Sequence, residues 1–313
     1  MALNTILKKI GYSEDKRLYG ELHFWVLCSS MIPIINIYIN LTSLEIVFIR
    51  TFLALAVVFC VLIYKKIDLR VRTSHILLLV FTGVLTSIYW VLFVTAAKTS
   101  NTSVTLVGMA TTPIWVSFIY PIFSKEKPTF NETMTGMCAL FGVYMIFSSS
   151  FAYSSGMFTA IFAAFFAAIV TILTSRLSKK YNNLVITFYQ MIGAFASTAI
   201  TLPYYLKHIK VGAFTYPSIT DFALILVLAI VFSIIAYSSI VAIMKKINPF
   251  SVALANNLSP IYGGIMAYFF FGESEIMDIY FYGGAFLIAF AILAVPLSKI
   301  LFNLDNIIPE EDV

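Results

Sequence analysis

Ten stretches of 18–24 mostly apolar residues follow one another along this chain, separated by short polar joins. Each is long enough to cross the roughly 30 Å hydrocarbon core of a bilayer as a helix, and too long for a barrel strand. In lipid the backbone finds no water, so a spanning segment must satisfy its own N–H and C=O groups. The stretches lie at 22–40, 44–64, 75–97, 102–123, 133–150, 155–176, 183–206, 221–244, 249–271 and 279–301. Composition agrees. Only 11% of the 313 residues are charged and 60% are hydrophobic, with a mean hydropathy of +0.94, whereas a soluble domain carries about 25% charge. The polar surface is too small for a water-soluble body of this length. The expected fold class is all-α integral membrane, with the lipid bilayer as its main partner.

An even number of spans puts both termini on one side, and Lys/Arg placement chooses the side. One set of joins and ends holds sixteen basic residues, clustered around Lys8, Lys16, Lys65, Arg70, Lys125, Arg176, Lys179, Lys245 and Lys299. The other holds three, Lys98, Lys207 and Lys210. The expectation is a multi-pass cell-membrane protein with both termini cytoplasmic. The net charge of +5 follows from this asymmetry and implies no nucleic-acid partner. Residues 1–19 lack the continuous apolar core of a signal peptide and read as a cytoplasmic lead-in; 303–313 reads as an acidic cytoplasmic tail. Cys28, Cys60 and Cys138 sit far apart inside apolar runs and read as small packing residues.

Self-comparison divides the chain further. At a shift of 147 residues Asn101 meets Asn248, Pro113 meets Pro260, Ile114 meets Ile261, Glu126 meets Glu273 and Gly136 meets Gly283. Thr112 meets Ser259, Trp115 meets Tyr262, Trp90 meets Tyr237 and Lys98 meets Lys245 at the same shift, while a shift of 140 puts Arg50 opposite Gln190. Each copy, 20–150 and 151–302, holds five spans. An odd number turns the second copy upside down, so the expected architecture is ten transmembrane helices as two inverted five-helix repeats. Inverted repeats are a recurrent carrier design, with substrate bound near the midplane between the copies.

The segments "SNTSVTLVGMATTPIWVSFIYPIFSKE" and "INPFSVALANNLSPIYGGIMAYFFFGE" resemble the two halves of EamA-type transporters of the drug/metabolite transporter superfamily. The shared order is small residues, an apolar stretch, Pro, an apolar run ending in Glu, then a Gly-bearing helix. Arg50 in the second span also fits that pattern. The resemblance covers about 20–302 and implies ten helices around a central cavity lined by the first, third and fourth helices of each half. Where the family carries a Trp-Gly pair in the first span, this chain has "SSMIPIINIYI", and Gly272 separates Phe271 from Glu273.

Candidate functional residues are the polar, charged or helix-breaking ones inside spans. Pro113 and Pro260 remove a helical N–H and clash with the carbonyl four residues back, freeing carbonyls near Met109 and Asn256. They read as hinges or helix breaks beside a substrate, or as packing kinks. Arg50 is the one basic residue well inside a span, where a charge costs about 2.5–3.5 kcal/mol on insertion scales. Three roles are open to it: snorkelling to the outer interface, tying helices together, or attracting an anionic or carboxylate-bearing substrate. Consecutive Asn256 and Asn257 are either substrate ligands or interhelical glue. Trp90, Thr112, Trp115, Tyr237, Ser259 and Tyr262 complete the candidate substrate-binding set. Glu126 and Glu273 close their spans and read as caps or interfacial ion pairs.

An enzyme would cluster its His, Asp, Glu or Cys. Here His23, His75 and His208 lie near different span ends and no Gly-rich phosphate loop occurs, so no catalytic residue, metal site or cofactor is expected. A channel would show a charge ring or filter loop. The function expected is a secondary transporter exporting small amphipathic metabolites, such as amino acids, by alternating access. The alternative is a non-transporting receptor or assembly subunit, which would have no continuous central cavity. The "YGGAF" run in the tenth span offers close backbone approach, within the bundle or as a homodimer face.

Overall fold

The computed structural model describes residues 14–124, 141–142, 144–145, 153–247, 249–287 and 289–290. Among these the regular structure is entirely helical. Seven stretches are long and apolar enough to cross a membrane: Arg17–Tyr38, Ser43–Tyr64, Thr73–Thr99, Thr102–Phe123, Ser154–Ser178, Asn183–His208 and Ile219–Ile243. The expected ninth span is two consecutive helices, each too short to cross alone. The tenth is described over 279–287 and 289–290, and most of the fifth lies outside the described residues, as do Glu126, Gly136, Cys138, Asn248 and both terminal segments.

Three of the spans are broken. The first consists of α1 (Glu14–Ser29) and α2 (Ile32–Tyr38). Helices α3 (Ser43–Tyr64) and α4 (Thr73–Thr99) are continuous. The fourth span divides into α5 (Thr102–Met109) and α6 (Thr112–Ser124). Helices α7 (Ser154–Ser178) and α8 (Asn183–His208) are again continuous. The eighth span runs from α9 (Ile219–Val227) through a π-helical segment (Leu228–Ala236) into α10 (Tyr237–Ile243). The ninth divides into α11 (Pro249–Asn256) and α12 (Ser259–Phe271).

The prolines explain the breaks. Pro33, Pro113 and Pro260 are each the second residue of the helix after a break. In the first turn a missing N–H loses no intrahelical bond, and the fixed φ suits helix initiation. The spans thus break at these prolines, the helix-break alternative rather than the packing kink, and each proline starts a new helix instead of clashing inside an old one. The carbonyl of Met109 is also not left free, because the Thr112 hydroxyl donates to it at 2.6 Å.

Close helix approach rests on glycine where α4 crosses α8. A Cβ on Gly83 would lie 2.0 Å from the Gln190 carbonyl oxygen, and one on Gly193 would lie 2.0 Å from that of Val80. Each helix thus presents a glycine to the other's backbone, the small-residue packing that membrane helices favour. In the tenth span Gly283 faces the Met145 side chain, where an added Cβ would sit 3.5 Å from its methyl.

One end of the bundle is tied by buried polar contacts. Glu45 forms a capping box with Thr42 and also accepts from Lys210 Nζ at 2.6 Å and the Thr215 N–H at 2.8 Å. Lys98 Nζ donates to the Ile39 carbonyl at 2.6 Å, and the neighbouring Asn40 N–H donates to Asp221 at 2.9 Å. The N-terminus of α5 is capped: the Thr102 and Ser103 N–H groups reach Glu275 and that of Val104 the Asn101 side chain, while that of Thr105 makes the first helical bond to the Asn101 carbonyl. The first three helical donors, which have no intrahelical acceptor, are all accounted for. The carboxylate that caps is Glu275, not the expected Glu273, which is exposed. Gly272, at φ +62°, turns the chain so that Glu275 can reach back; a side chain there would be strained.

Candidate functional site

A cavity of about 200 Å³ lies where the three broken spans meet. Every break contributes a residue on each side of its gap: Ser29 and Ile32, Met109 and Thr112, Asn256 and Ser259. Tyr89, Trp90 and Phe93 enter from α4, Thr171 and Thr174 from α7, Phe232 and Ala236 from the π segment, and Tyr237 and Ile240 from α10. Arg50 comes from α3 and is the one charged side chain among the lining residues.

Arg50 is 3% exposed and is held from two sides. Its Nε donates to Ser233 Oγ at 2.7 Å, and its guanidinium lies 4.0 Å from the centre of the Trp90 ring. A desolvated cation over an indole gains about 2 kcal/mol, and a hydrogen bond to a charged group about 1.5–3 kcal/mol. Together these match or exceed the insertion cost of about 2.5–3.5 kcal/mol. The π-helix makes the contact: Ser233 donates in turn to the Leu228 carbonyl, five residues back, at 3.0 Å. Such bulges are frequent at functional sites. Arg50 does not pair with Glu45, which is committed to Lys210 and Thr215, and no carboxylate contacts it among the described residues.

Across the cavity lies a neutral counterpart. Gln190 Nε2 donates to Thr174 Oγ1 at 2.8 Å and Thr82 Oγ1 at 3.1 Å. The Tyr237 hydroxyl points toward Thr86, Thr174 and Gln190 without reaching hydrogen-bond geometry. The Gln190 Oε1 is likewise buried without a partner. At the repeat offsets Gln190 corresponds to Arg50, Tyr237 to Trp90 and Thr86 to Ser233. The cavity is thus flanked by two related clusters, one charged and one neutral.

Of the sequence candidates, Arg50, Trp90, Thr112, Tyr237, Asn256 and Ser259 line this cavity. Trp115, Asn257 and Tyr262 do not. Trp115 packs edge-on against Phe165 at 5.3 Å, with its buried indole N–H unpartnered. Tyr262 packs against the apolar cluster of Leu22, Val26 and Met244. Asn257 faces a separate, mostly apolar cavity between α5, α12 and the tenth span, and both atoms of its buried amide lack a partner. Asn256 closes α11 and Asn257 lies in the break after it, so the two amides face different cavities. Sequence reasoning missed Pro33, Ser233, Thr171 and Thr174. Only Pro33 left a signal, since it repeats the break-then-proline pattern of Pro113 and Pro260. No cluster of metal-ligating side chains occurs among the described residues.

Comparison with known proteins fits this architecture. No curated protein matches the sequence. One solved crystal structure matches over 89% of this chain and 99% of its own, with a TM-score of 0.64 at 12% identity, a likeness of fold. The model of the EamA-like transporter family matches twice, over residues 24–148 and again over 154–296. The second match begins just past the boundary between the two sequence repeats, and with both copies accounted for, this multi-pass membrane chain belongs to the EamA-like transporter family.

Proposed function

We propose that the protein is a secondary carrier that exports small amphipathic metabolites, amino acids or related compounds, across the cell membrane by alternating access. The observation that carries this reading is the central cavity, built from helix breaks in both halves and walled by aromatic and neutral polar side chains. Unwound backbone beside a midplane cavity is how carriers place binding groups inside a membrane. A non-transporting receptor or assembly subunit would have no need of such a cavity.

The arrangement of contacts supports ten helices in two inverted repeats. Helix α4 packs on α7 and α8, and the Ile219–Ile243 helix packs correspondingly on α1 and α3. The α5–α6 pair packs on α7, and the α11–α12 pair on α1. Opposite sense is supported by the lysines. Lys98 reaches Ile39, whose neighbour Asn40 binds Asp221 at the start of the Ile219–Ile243 helix. Lys245 follows the other end of that helix, about 35 Å away at 1.5 Å per residue. Opening toward the Lys98 end would require the Glu45–Lys210 and Asn40–Asp221 ties to part.

Flux in proteoliposomes loaded with amino acids, amines, organic acids and their neutral analogues tests the reading. Saturable movement of at least one class is expected. Absence of flux across the whole panel, from protein that remains folded, would overturn it.

A further inference from the structure

We infer that the cavity selects organic anions: compounds with an aromatic or apolar body and one carboxylate-like group that pairs with Arg50. This rests on the carrier reading above and names its substrate class.

The argument starts from charge. Arg50 is the single charged group at the cavity, and no acidic residue lines it among the described residues. The carboxylates on the two spans that carry Arg50 and Ser233 are already committed, Glu45 to Lys210 and Asp221 to Asn40. Arg50 spends its Nε on Ser233 and one ring face on Trp90. Its two terminal nitrogens have no hydrogen-bond partner among the described residues, nor are they sealed from the cavity. Four N–H donors in a planar fork therefore remain, the geometry that binds a carboxylate through two parallel bonds. A neutral or cationic substrate would leave this cation uncompensated.

The rest of the site fits the other end of such a molecule. Trp90, Phe93, Phe232 and Tyr237 offer aromatic walls. A second cavity, of about 500 Å³ and sharing no lining residue with the first, lies at the opposite end of the bundle from Lys98 and is lined by Arg176, Lys179, Lys180, Lys245 and Lys246, again with no acidic residue. Charge of one sign at that end raises the local concentration of the opposite ion.

The test is equilibrium binding to the wild-type protein in nanodiscs, with flux in proteoliposomes alongside. Matched probes differ only in the head group: indole-3-acetate, indole-3-acetamide and tryptamine, with phenylacetate and hexanoate each set against its amide. The carboxylates are expected to bind at least ten-fold more tightly than their partners. Arg50→Gln should erase that preference, and Arg50→Lys should keep part of it. Amides or tryptamine binding as tightly as the acids overturns the inference, as does failure of every carboxylate to bind. If neutral or cationic compounds still move, the carrier reading survives that failure; if nothing moves, both fall. The wild-type comparison decides the matter even if the Arg50 variants do not fold.

Discussion

Replacing Gly83 by Ala probes the close crossing of α4 and α8. The new methyl would sit 2.0 Å from the Gln190 carbonyl oxygen, where ordinary contact begins near 3.4 Å. Backbone cannot rotate away as a side chain can, so α4 and α8 must separate by about 1 Å or more. Overpacking of this kind costs about 1–3 kcal/mol. The Gln190 bond to Thr82, at 3.1 Å, lies at the same crossing and would stretch past useful length. Side-chain bonds inside membranes average about 0.6 kcal/mol each, so the expected total is about 2–4 kcal/mol. Gly193→Ala, whose methyl would meet the Val80 carbonyl at the same 2.0 Å, should behave alike. Gly264→Ala is the control: its Cβ would find nothing nearer than Ser103 Oγ at 3.9 Å, and helix propensity favours Ala by about 0.5–1 kcal/mol. Unfolding in mixed micelles titrated with SDS and followed by circular dichroism measures all three. If Gly83→Ala unfolds at the same SDS fraction as Gly264→Ala, the reasoning about the crossing is wrong.

Three further outcomes are expected. Glu275→Ala strips the Thr102 and Ser103 N–H groups of their acceptor and should destabilise by about 2–3 kcal/mol, whereas Glu273→Ala should be neutral; equal effects in a thermal melt would refute the capping assignment. On a cysteine-free background, single cysteines at positions 98 and 245 should label from opposite faces of the membrane, and labelling from one face would end the inverted-repeat reading. Lys210→Met removes the ion pair to Glu45, whose carboxylate is fully buried. That should raise the accessibility of cavity-facing cysteines from the Lys98 end; unchanged accessibility would mean that the tie does not hold that end closed.

What the sequence by itself determined is whatever depends on local composition. A run of about 20 apolar residues has one solution in lipid, a helix, so seven of the spans were legible to within about five residues at each end among the described residues. Repetition at a fixed offset marked the two halves and paired Pro113 with Pro260. A charge inside a span must find partners or reach the interface; that Arg50 is buried rather than snorkelling, at 3% exposure, only the tertiary structure decided. Which face each side chain presents was not legible. A water-soluble helix advertises its inner face by amphipathic periodicity, but a helix in lipid is apolar all round, so periodicity cannot separate cavity, neighbour and bilayer. That is why Asn257, Trp115 and Tyr262 turned away from the cavity while Thr174 and Ser233, two small hydroxyls unremarkable in sequence, turned toward it. The pairing of Arg50 with Ser233, 183 residues apart, needed the tertiary structure twice: to bring α3 against the eighth span, and to open the π turn that aims the hydroxyl.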